Sequence, residues 1–161
     1  MNNKEETFNR MIAEHSGIIT KICFFYAESA DEVEDMRQDT LLNLWRGWEG
    51  FREESKLSTW IHRVCLNTCV SYVRRERKHR KSVPLPELID DSDGDCQAEL
   101  WMELRRQINT LSKRERAVML LWLEEFSYDD IAEVMGMSRN GVATLLHRIK
   151  QKLINLNSNP K

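Results

Sequence analysis

The stretch FSYDDIAEVMGMSRNGVATLLHRIKQ, residues 126–151, decides the fold of the second half of the chain. Ser127 is a favourable N-cap for a first helix, and Gly136 suits the left-handed position that ends it. Ser138 can cap a second helix two residues later. Two helices joined by a short turn that contains glycine are typical of a helix-turn-helix. The stretch therefore predicts a helical hairpin of the kind that binds DNA.

Charge divides the two arms of this hairpin. The first arm carries three acids and no base, whereas the second carries bases and no acid. Hydrogen-bond donors on the second arm suit phosphates and base edges in the major groove of DNA. The candidates that face outward are Arg139, Asn140, Thr144, His147, Arg148 and Lys150. The alternative is an ordinary surface hairpin whose faces are joined by salt bridges.

The composition of the whole chain indicates an all-α protein. Its 161 residues can form one domain or two small ones, glycine (6) and proline (3) are scarce, and apolar residues recur with helical spacing. No apolar run approaches the ~20 residues of a membrane span. The N-terminus lacks the basic-then-apolar layout of a signal peptide. We therefore expect a cytoplasmic protein that keeps its four cysteines reduced.

Charge is segregated along the chain, although the net charge is only −2. Residues 52–81 hold nine bases and three acids, and residues 82–99 hold six acids and no base. Because the acidic run also contains two prolines and a glycine, it predicts a flexible linker over residues 82–97. The predicted domains are residues 6–81 and residues 98–156, and the hairpin lies in the second.

Two helices are predicted at the start of the first domain. The first covers residues 6–28 with a break near Gly17. The second follows Ser29, with Asp31 as its N-cap. Its predicted apolar face consists of Leu41, Leu44, Trp45 and Trp48.

The third predicted helix starts at Ser58 or Thr59 and runs towards Lys78. Opposite its apolar face it carries a polar stripe that becomes more basic towards the C-terminus. This basic stripe consists of Asn67, Ser71, Arg74, Arg75 and Lys78. Such a helix can hold a phosphate backbone while a neighbouring loop captures an unstacked base. A simple solvated face is the alternative interpretation.

The second domain is predicted to begin with a helix over residues 98–109. Another helix follows, with Ser112 as its N-cap and Glu115 at the third position of a capping box. The polar tail over residues 155–161 is expected to fray.

Three segments carry a resemblance to a known family. They are DEVEDMRQDTLLNLWRGWEGF (31–51), STWIHRVCLNTCVSYVRRERK (58–78) and LSKRERAVMLLWLEEFSYDDIAEVMGMSRNGVATLLHRIKQKL (111–153). Together they resemble the conserved regions of a bacterial RNA polymerase sigma factor of the small, two-domain extracytoplasmic-function type. The resemblance covers roughly residues 8–155.

The resemblance implies a function in promoter-specific transcription initiation, with two partners for the first domain. The second helix would dock on the clamp helices of the polymerase β′ subunit, through Asp35, Gln38, Asp39, Leu42 and Trp45. The third helix and the loop before it would read the −10 promoter element as exposed single strand. The implied −10 residues are Lys56, Leu57, Asn67, Ser71, Arg74, Arg75 and Lys78.

The hairpin of the second domain would, by the same resemblance, read the −35 element as duplex DNA. The implied residues are Ser138, Arg139, Asn140, Thr144, His147 and Arg148. The β flap of the polymerase is a further implied partner, and many members of the family are held by an anti-sigma factor that is bound to the membrane. The second arm departs from the family at Gly141, Ala143 and Leu145, where more polar or basic residues are common.

Two other functions compete with this interpretation. A free-standing regulator could dimerise through its N-terminal helices and read a palindrome. A thiol or zinc sensor could use His62, Cys65 and Cys69, which share a helix face, but zinc usually needs a fourth ligand. Packing as small apolar residues is the expected role of the cysteines. No catalytic constellation or phosphate loop is present, so neither an enzyme, a cofactor nor a small-molecule substrate is expected.

Overall fold

The structure, a computed structural model, describes residues 3–53, 56–76 and 95–158, without the side chains of residues 95–97. Within these ranges the chain forms seven α-helices and no strand, in agreement with the predicted all-α class. The chain divides into two compact units, Met1–Leu88 and Ile89–Lys161. We call them the N-terminal unit and the C-terminal unit. Most of the predicted linker and the predicted DNA contact Lys78 lie outside the described residues.

Among the described residues of the N-terminal unit there are three helices, and each packs against the other two. They are α1 (Asn3–Tyr26), α2 (Ala30–Trp48) and α3 (Leu57–Glu76). Their shared core consists mainly of aliphatic and aromatic side chains that are at most 2% exposed. Among its members are Ile19, Ile22, Phe25, Tyr26, Met36, Leu44 and Ile61. Burial of this apolar surface is the main stabilising contribution to the bundle.

Two details of the first helices differ from the sequence prediction. Helix α1 runs without a break through Gly17, because Met11 and Ile19 on either side of it are both anchored in the core. The N-cap of α2 is Ser29 rather than Asp31. The Ser29 hydroxyl accepts a hydrogen bond from the backbone N–H of Glu32 at 3.1 Å, which leaves Asp31 in the first turn.

The C-terminal unit has four helices within residues 95–158: α4 (Asp95–Asn109), α5 (Lys113–Leu123), α6 (Tyr128–Met135) and α7 (Arg139–Ser158). The predicted capping box at the start of α5 is confirmed, since Ser112 and Glu115 exchange hydrogen bonds. The predicted frayed tail is wrong as far as residue 158. There α7 continues as a helix, and Gln107 of α4 donates a hydrogen bond to Asn157 at 3.1 Å.

None of the helices in the described ranges combines the length and the apolar character that a membrane crossing requires.

Candidate nucleic-acid interface

The hairpin formed by α6 and α7 has the caps that its sequence predicts. The Ser127 hydroxyl accepts from the N–H of Asp130 at 3.1 Å, and the Ser138 hydroxyl accepts from the N–H of Gly141 at 3.0 Å. Gly136 ends α6 in the left-handed conformation, with φ 65° and ψ 37°. The helix-turn-helix is therefore confirmed at the level of its backbone.

Apolar packing fixes which face of α7 points to solvent. Val142, Leu146 and Ile149 are at most 1% exposed, and Ile131 of α6 is fully buried with them in the core of this unit. Val142, Leu146 and Ile149 follow one another on α7 at intervals of four and three residues, so they form one apolar stripe along the helix. The opposite face of α7 is exposed to solvent.

All six residues predicted to contact the −35 element are exposed on α7 or at its N-cap. They are Ser138, Arg139, Asn140, Thr144, His147 and Arg148. Lys150, also expected to face outward, is different: its Nζ lies 4.2 Å from the centre of the Trp122 ring, in a cation–π contact. That contact turns Lys150 towards α5 and away from the other donors.

A groove of about 390 Å³ runs beside the exposed face of α7. Asn140, Thr144 and Arg148 line it, together with Arg114 of α5. Sequence reasoning missed Arg114, because no local pattern shows that α5 packs beside α7. Arg114 is therefore a further positively charged side chain beside the residues predicted to contact DNA.

The structure gives a physical reason for glycine at position 141. A Cβ atom on Gly141 would lie 3.1 Å from the hydroxyl oxygen of Ser138, which is tighter than most contacts of a real Cβ. The same hydroxyl accepts the backbone N–H of Gly141. Glycine therefore lets the cap lie close to the first turn of α7, at a cost of ~1 kcal/mol in helix propensity.

The predicted polymerase-binding residues lie on the surface of α2. Asp35, Gln38 and Leu42 are exposed, whereas Asp39 and Trp45 are partly buried. The Trp45 ring packs edge-on against Phe8 of α1, with 5.0 Å between the ring centres. Trp45 is therefore held in place by α1 and keeps only part of its surface for a partner.

Two of these acids contact the basic end of α3. The Tyr72 hydroxyl donates to a carboxylate oxygen of Asp35 at 3.2 Å. The guanidinium Nη2 of Arg75 lies 3.3 Å from Oδ2 of Asp39. The hydrogen bonds from Arg75 to Glu76 and Asp39 raise the pKa of the guanidinium above its ordinary value. The structure thus pairs Asp39, a predicted polymerase contact, with Arg75, a predicted DNA contact. The sequence did not predict this pair.

The other described members of the basic stripe are open to solvent. Asn67, Ser71 and Arg74 are exposed on α3, on the side opposite its buried residues. Since all three side chains reach solvent, their polar groups are accessible to the phosphates and bases of a nucleic-acid strand.

An aromatic pocket lies at the loop before α3. Trp48, Phe51 and Leu57 line a cavity of about 600 Å³ together with Arg52 and Glu53. The Trp48 and Phe51 rings are stacked, with 6.3 Å between their centres and 9° between their planes. Of the two predicted loop contacts, Leu57 lines this pocket and Lys56 is exposed beside it. Sequence reasoning assigned Trp48 to the core and did not find the pocket.

Comparison with known proteins identifies the family. Residues 11–79 match Sigma-70 region 2, and residues 101–153 match Sigma-70, region 4. The two matches together cover more than half of the chain. The chain belongs to the sigma-70 family. Its N-terminal unit contains region 2, and its C-terminal unit contains region 4.

Similar proteins place this sigma factor in the extracytoplasmic-function group. It is 25% identical over 150 residues to the ECF sigma factor SigM of Mycobacterium tuberculosis, a match that covers 92% of this chain and 76% of SigM. It is 28% identical over 132 residues to sigma factor YlaC of Bacillus subtilis, covering 76% of each chain. The fold is similar to that of RpoE of Bartonella quintana, solved with the anti-sigma factor NepR. That comparison gives a TM-score of 0.76 at 20% identity, and it covers 97% of this chain and 99% of the RpoE chain.

These matches give the function at the level of the family. The chain is an alternative sigma factor that directs promoter-specific initiation of transcription. Sigma factors are initiation subunits rather than catalysts, which agrees with the expectation that the chain is not an enzyme.

Proposed function

We propose that this sigma factor docks on core polymerase through the acidic surface of α2. Asp35, Gln38, Asp39 and Leu42 are the contacts, with the exposed part of Trp45 beside them, and the β′ clamp helices are the surface that they meet. The support is chemical: an exposed acidic helix suits a basic partner, and Leu42, 46% exposed, supplies an apolar contact at its centre.

The α3 surface and the loop before it capture the −10 element. Arg74 and Arg75 hold the phosphate backbone, as does Lys78, and Asn67 and Ser71 offer hydrogen bonds to the strand. The pocket beside Leu57 and Lys56 can accept an unstacked base, because aromatic rings bind any base by stacking.

Helix α7 reads the −35 element from the major groove. Ser138, Arg139 and Asn140 lie at its N-terminal end, where a recognition helix of this type contacts bases, and Thr144, His147 and Arg148 extend the same face. Arg139 also lies 3.8 Å from Asp129, but the two side chains are 68% and 73% exposed, so this weak pair can give way to a phosphate.

The observation that carries the proposal is the division of charge on the N-terminal unit. Acids on α2 and bases on α3 meet at the contact of Asp39 with Arg75, so one small bundle presents two adjoining surfaces of opposite sign. Because acids repel the phosphates of DNA, the first surface suits a second, basic partner.

Catalysis, on this proposal, resides in the core polymerase, and the sigma factor acts where that enzyme is, in the cytoplasm. The domain boundaries 6–81 and 98–156, joined by the acidic linker 82–97, are part of the proposal, as is contact with the β flap. An anti-sigma factor is a further proposed partner, because the similar RpoE was solved with one.

Run-off transcription with purified core polymerase and a library of genomic promoters tests the proposal. We expect transcripts from a small set of promoters only when the sigma factor is added. Size-exclusion chromatography of the isolated chain is the companion measurement. No transcript at any promoter, together with a dimer that binds a palindrome tightly by itself, would favour a free-standing regulator instead.

A further inference from the structure

Three cysteine thiols meet in the core of the N-terminal unit. Cys23 lies on α1, and Cys65 and Cys69 lie one turn apart on α3. Their sulphur atoms all lie within 4.8 Å of one another, with 3.8 Å between Cys23 and Cys69. Each of the three side chains is 0% exposed. We call this group the thiol cluster.

The sequence suggested a different third ligand for this site. His62 shares a helix face with Cys65 and Cys69, but its Nδ1 lies 2.7 Å from the carbonyl oxygen of Ser58, within its own helix. The third residue beside Cys65 and Cys69 is Cys23, although it lies more than 40 residues from Cys65 in the chain. The tertiary packing of α1 on α3 therefore creates the cluster.

The spacing of the sulphur atoms suits a single central ion. Three sulphur ligands at ~2.3 Å from one centre, the length of a zinc–thiolate bond, lie roughly 3.8–4 Å from one another. The separation of Cys23 and Cys69 is 3.8 Å, and no pair is farther apart than 4.8 Å, so rotation of the side chains must draw the three sulphur atoms closer around a pyramidal trivalent centre. Packing of α1 on α3 accounts for the burial of the thiols, and their convergence within 4.8 Å meets the geometric condition for one shared ligand.

Burial also selects the charge of the ion. An uncompensated charge in an apolar core is very costly, so the bound complex should be neutral. Three thiolates neutralise a trivalent centre, whereas they leave a monovalent or divalent ion with a net negative charge. The soft character of sulphur selects a thiophilic centre.

Hydrogen bonds hold the thiols in the core. The Cys69 thiol donates to the sulphur of Cys23 at 3.8 Å, and the Cys65 thiol donates to the backbone carbonyl oxygen of Ile19 at 3.9 Å. Because neutral groups suit an apolar core, each of the three thiols brings one proton to the exchange with the ion.

We propose that Cys23, Cys65 and Cys69 form a binding site for a trivalent thiophilic ion of the arsenite class. Three sulphur–arsenic bonds form and three arsenic–hydroxide bonds break, with no change of oxidation state. Each of the three thiol protons leaves with one hydroxide, so three water molecules are released. The product is a neutral trithiolate that links α1 to α3.

This inference does not depend on the proposed polymerase and DNA contacts. The bridge joins two helices of one unit, so the bound ion stabilises the folded N-terminal unit by mass action. Because the thiols are buried, the ion enters only when α1 and α3 separate locally, and binding is slow compared with diffusion.

Native mass spectrometry of the full-length reduced chain, with sodium arsenite as the probe, tests the site. We expect one arsenic per chain with the loss of three hydrogens. Cys23→Ser, Cys65→Ser and Cys69→Ser each weaken binding at least tenfold. The matched control is Cys96→Ser, which binds as the unaltered chain does. Unchanged binding in any of the first three variants, or loss of binding in the control, would overturn the proposal.

A second measurement uses the unaltered chain, because a buried serine can unfold the bundle. Hydrogen exchange should slow on arsenite addition around Cys23 in α1 and around residues 65–69 in α3, with no change in α5–α7. The melting temperature should rise. Arsenite that binds only the denatured chain, or Zn²⁺ or Cu⁺ that binds more tightly than arsenite, would contradict a neutral three-thiolate site.

Discussion

At the scale of single residues, the pair of Asp39 and Arg75 is placed where it can couple two binding events. The two side chains are 41% and 61% exposed, so solvent screens their attraction and the pair contributes little to stability. Either partner can therefore exchange the other for a ligand at low cost. A basic polymerase surface that binds Asp39 would release Arg75 to a phosphate.

Reversing the charge at Asp39 tests the first half of this idea. Asp39→Lys should weaken binding to core polymerase at least tenfold, because it places a like charge against a basic surface. The free energy of unfolding should change by less than about 1 kcal/mol. The control is Glu14→Lys, the same reversal of charge at an exposed position of α1. Equal binding of the two variants in a titration with labelled core enzyme would refute the assignment of α2.

Glu115 gives a second prediction at this scale. A hydrogen bond from Lys152, joined by one from the backbone N–H of Ser112, lowers the pKa of its carboxyl group. A lowered pKa means that the charged form stabilises the fold above the ordinary pKa, and that this contribution is lost as pH falls through the lowered value. Glu115→Gln should therefore cost roughly 1 kcal/mol at pH 7.

Urea unfolding over a pH series measures this effect. The difference between Glu115→Gln and the unaltered chain should shrink as the solution is acidified. Glu125→Gln, at an exposed acid of the same unit, should show no such trend. A difference that stays constant from neutral to strongly acid solution would mean that the charge of Glu115 does not stabilise α5 and α7.

At the scale of elements, two glycines should respond in opposite ways to the same substitution. Gly136 has a positive φ of 65°, and an added Cβ there would meet nothing within 4 Å, so Gly136→Ala introduces backbone strain alone. That strain costs about 1 kcal/mol or more. Gly17 lies inside α1, also with open space around it, and Gly17→Ala should stabilise the unit by ~0.5–1 kcal/mol. Melting temperatures that moved in the same direction for both variants would contradict the difference in backbone conformation between the two positions.

Local sequence signals predicted the elements well and the sites only in part. The caps at Ser112, Ser127 and Ser138 depend on interactions within four residues, so the sequence contained them in full. Gly17 was misjudged because the packing of α1 outweighs its low propensity. The Asp39–Arg75 pair, Arg114 and the thiol cluster each join segments that are distant in the chain, and no local pattern reveals such contacts. The named lining of the aromatic pocket lies within residues 48–57, but the helical spacing of Trp48 placed that ring in the core.

At the scale of the whole molecule, the proposal gives two small helical units separate tasks in one initiation complex. On the proposed assignment, the N-terminal unit meets both the enzyme and the −10 strand, and the C-terminal unit reads the −35 duplex. Each interface alone is small and partly electrostatic, so each should be weak and sensitive to salt. On this assignment, we expect specific initiation to require the polymerase and both promoter elements together.

Run-off transcription from one cognate promoter, with core polymerase and three forms of the sigma factor, tests this central claim most directly. We predict full product with the unaltered chain and almost none with Asp35→Lys/Asp39→Lys, which no longer joins the enzyme. Arg74→Gln/Arg75→Gln should still join the enzyme but should also give little product, because the −10 strand is not held. Undiminished transcription by both double variants, each shown by thermal unfolding to be folded, would contradict the account.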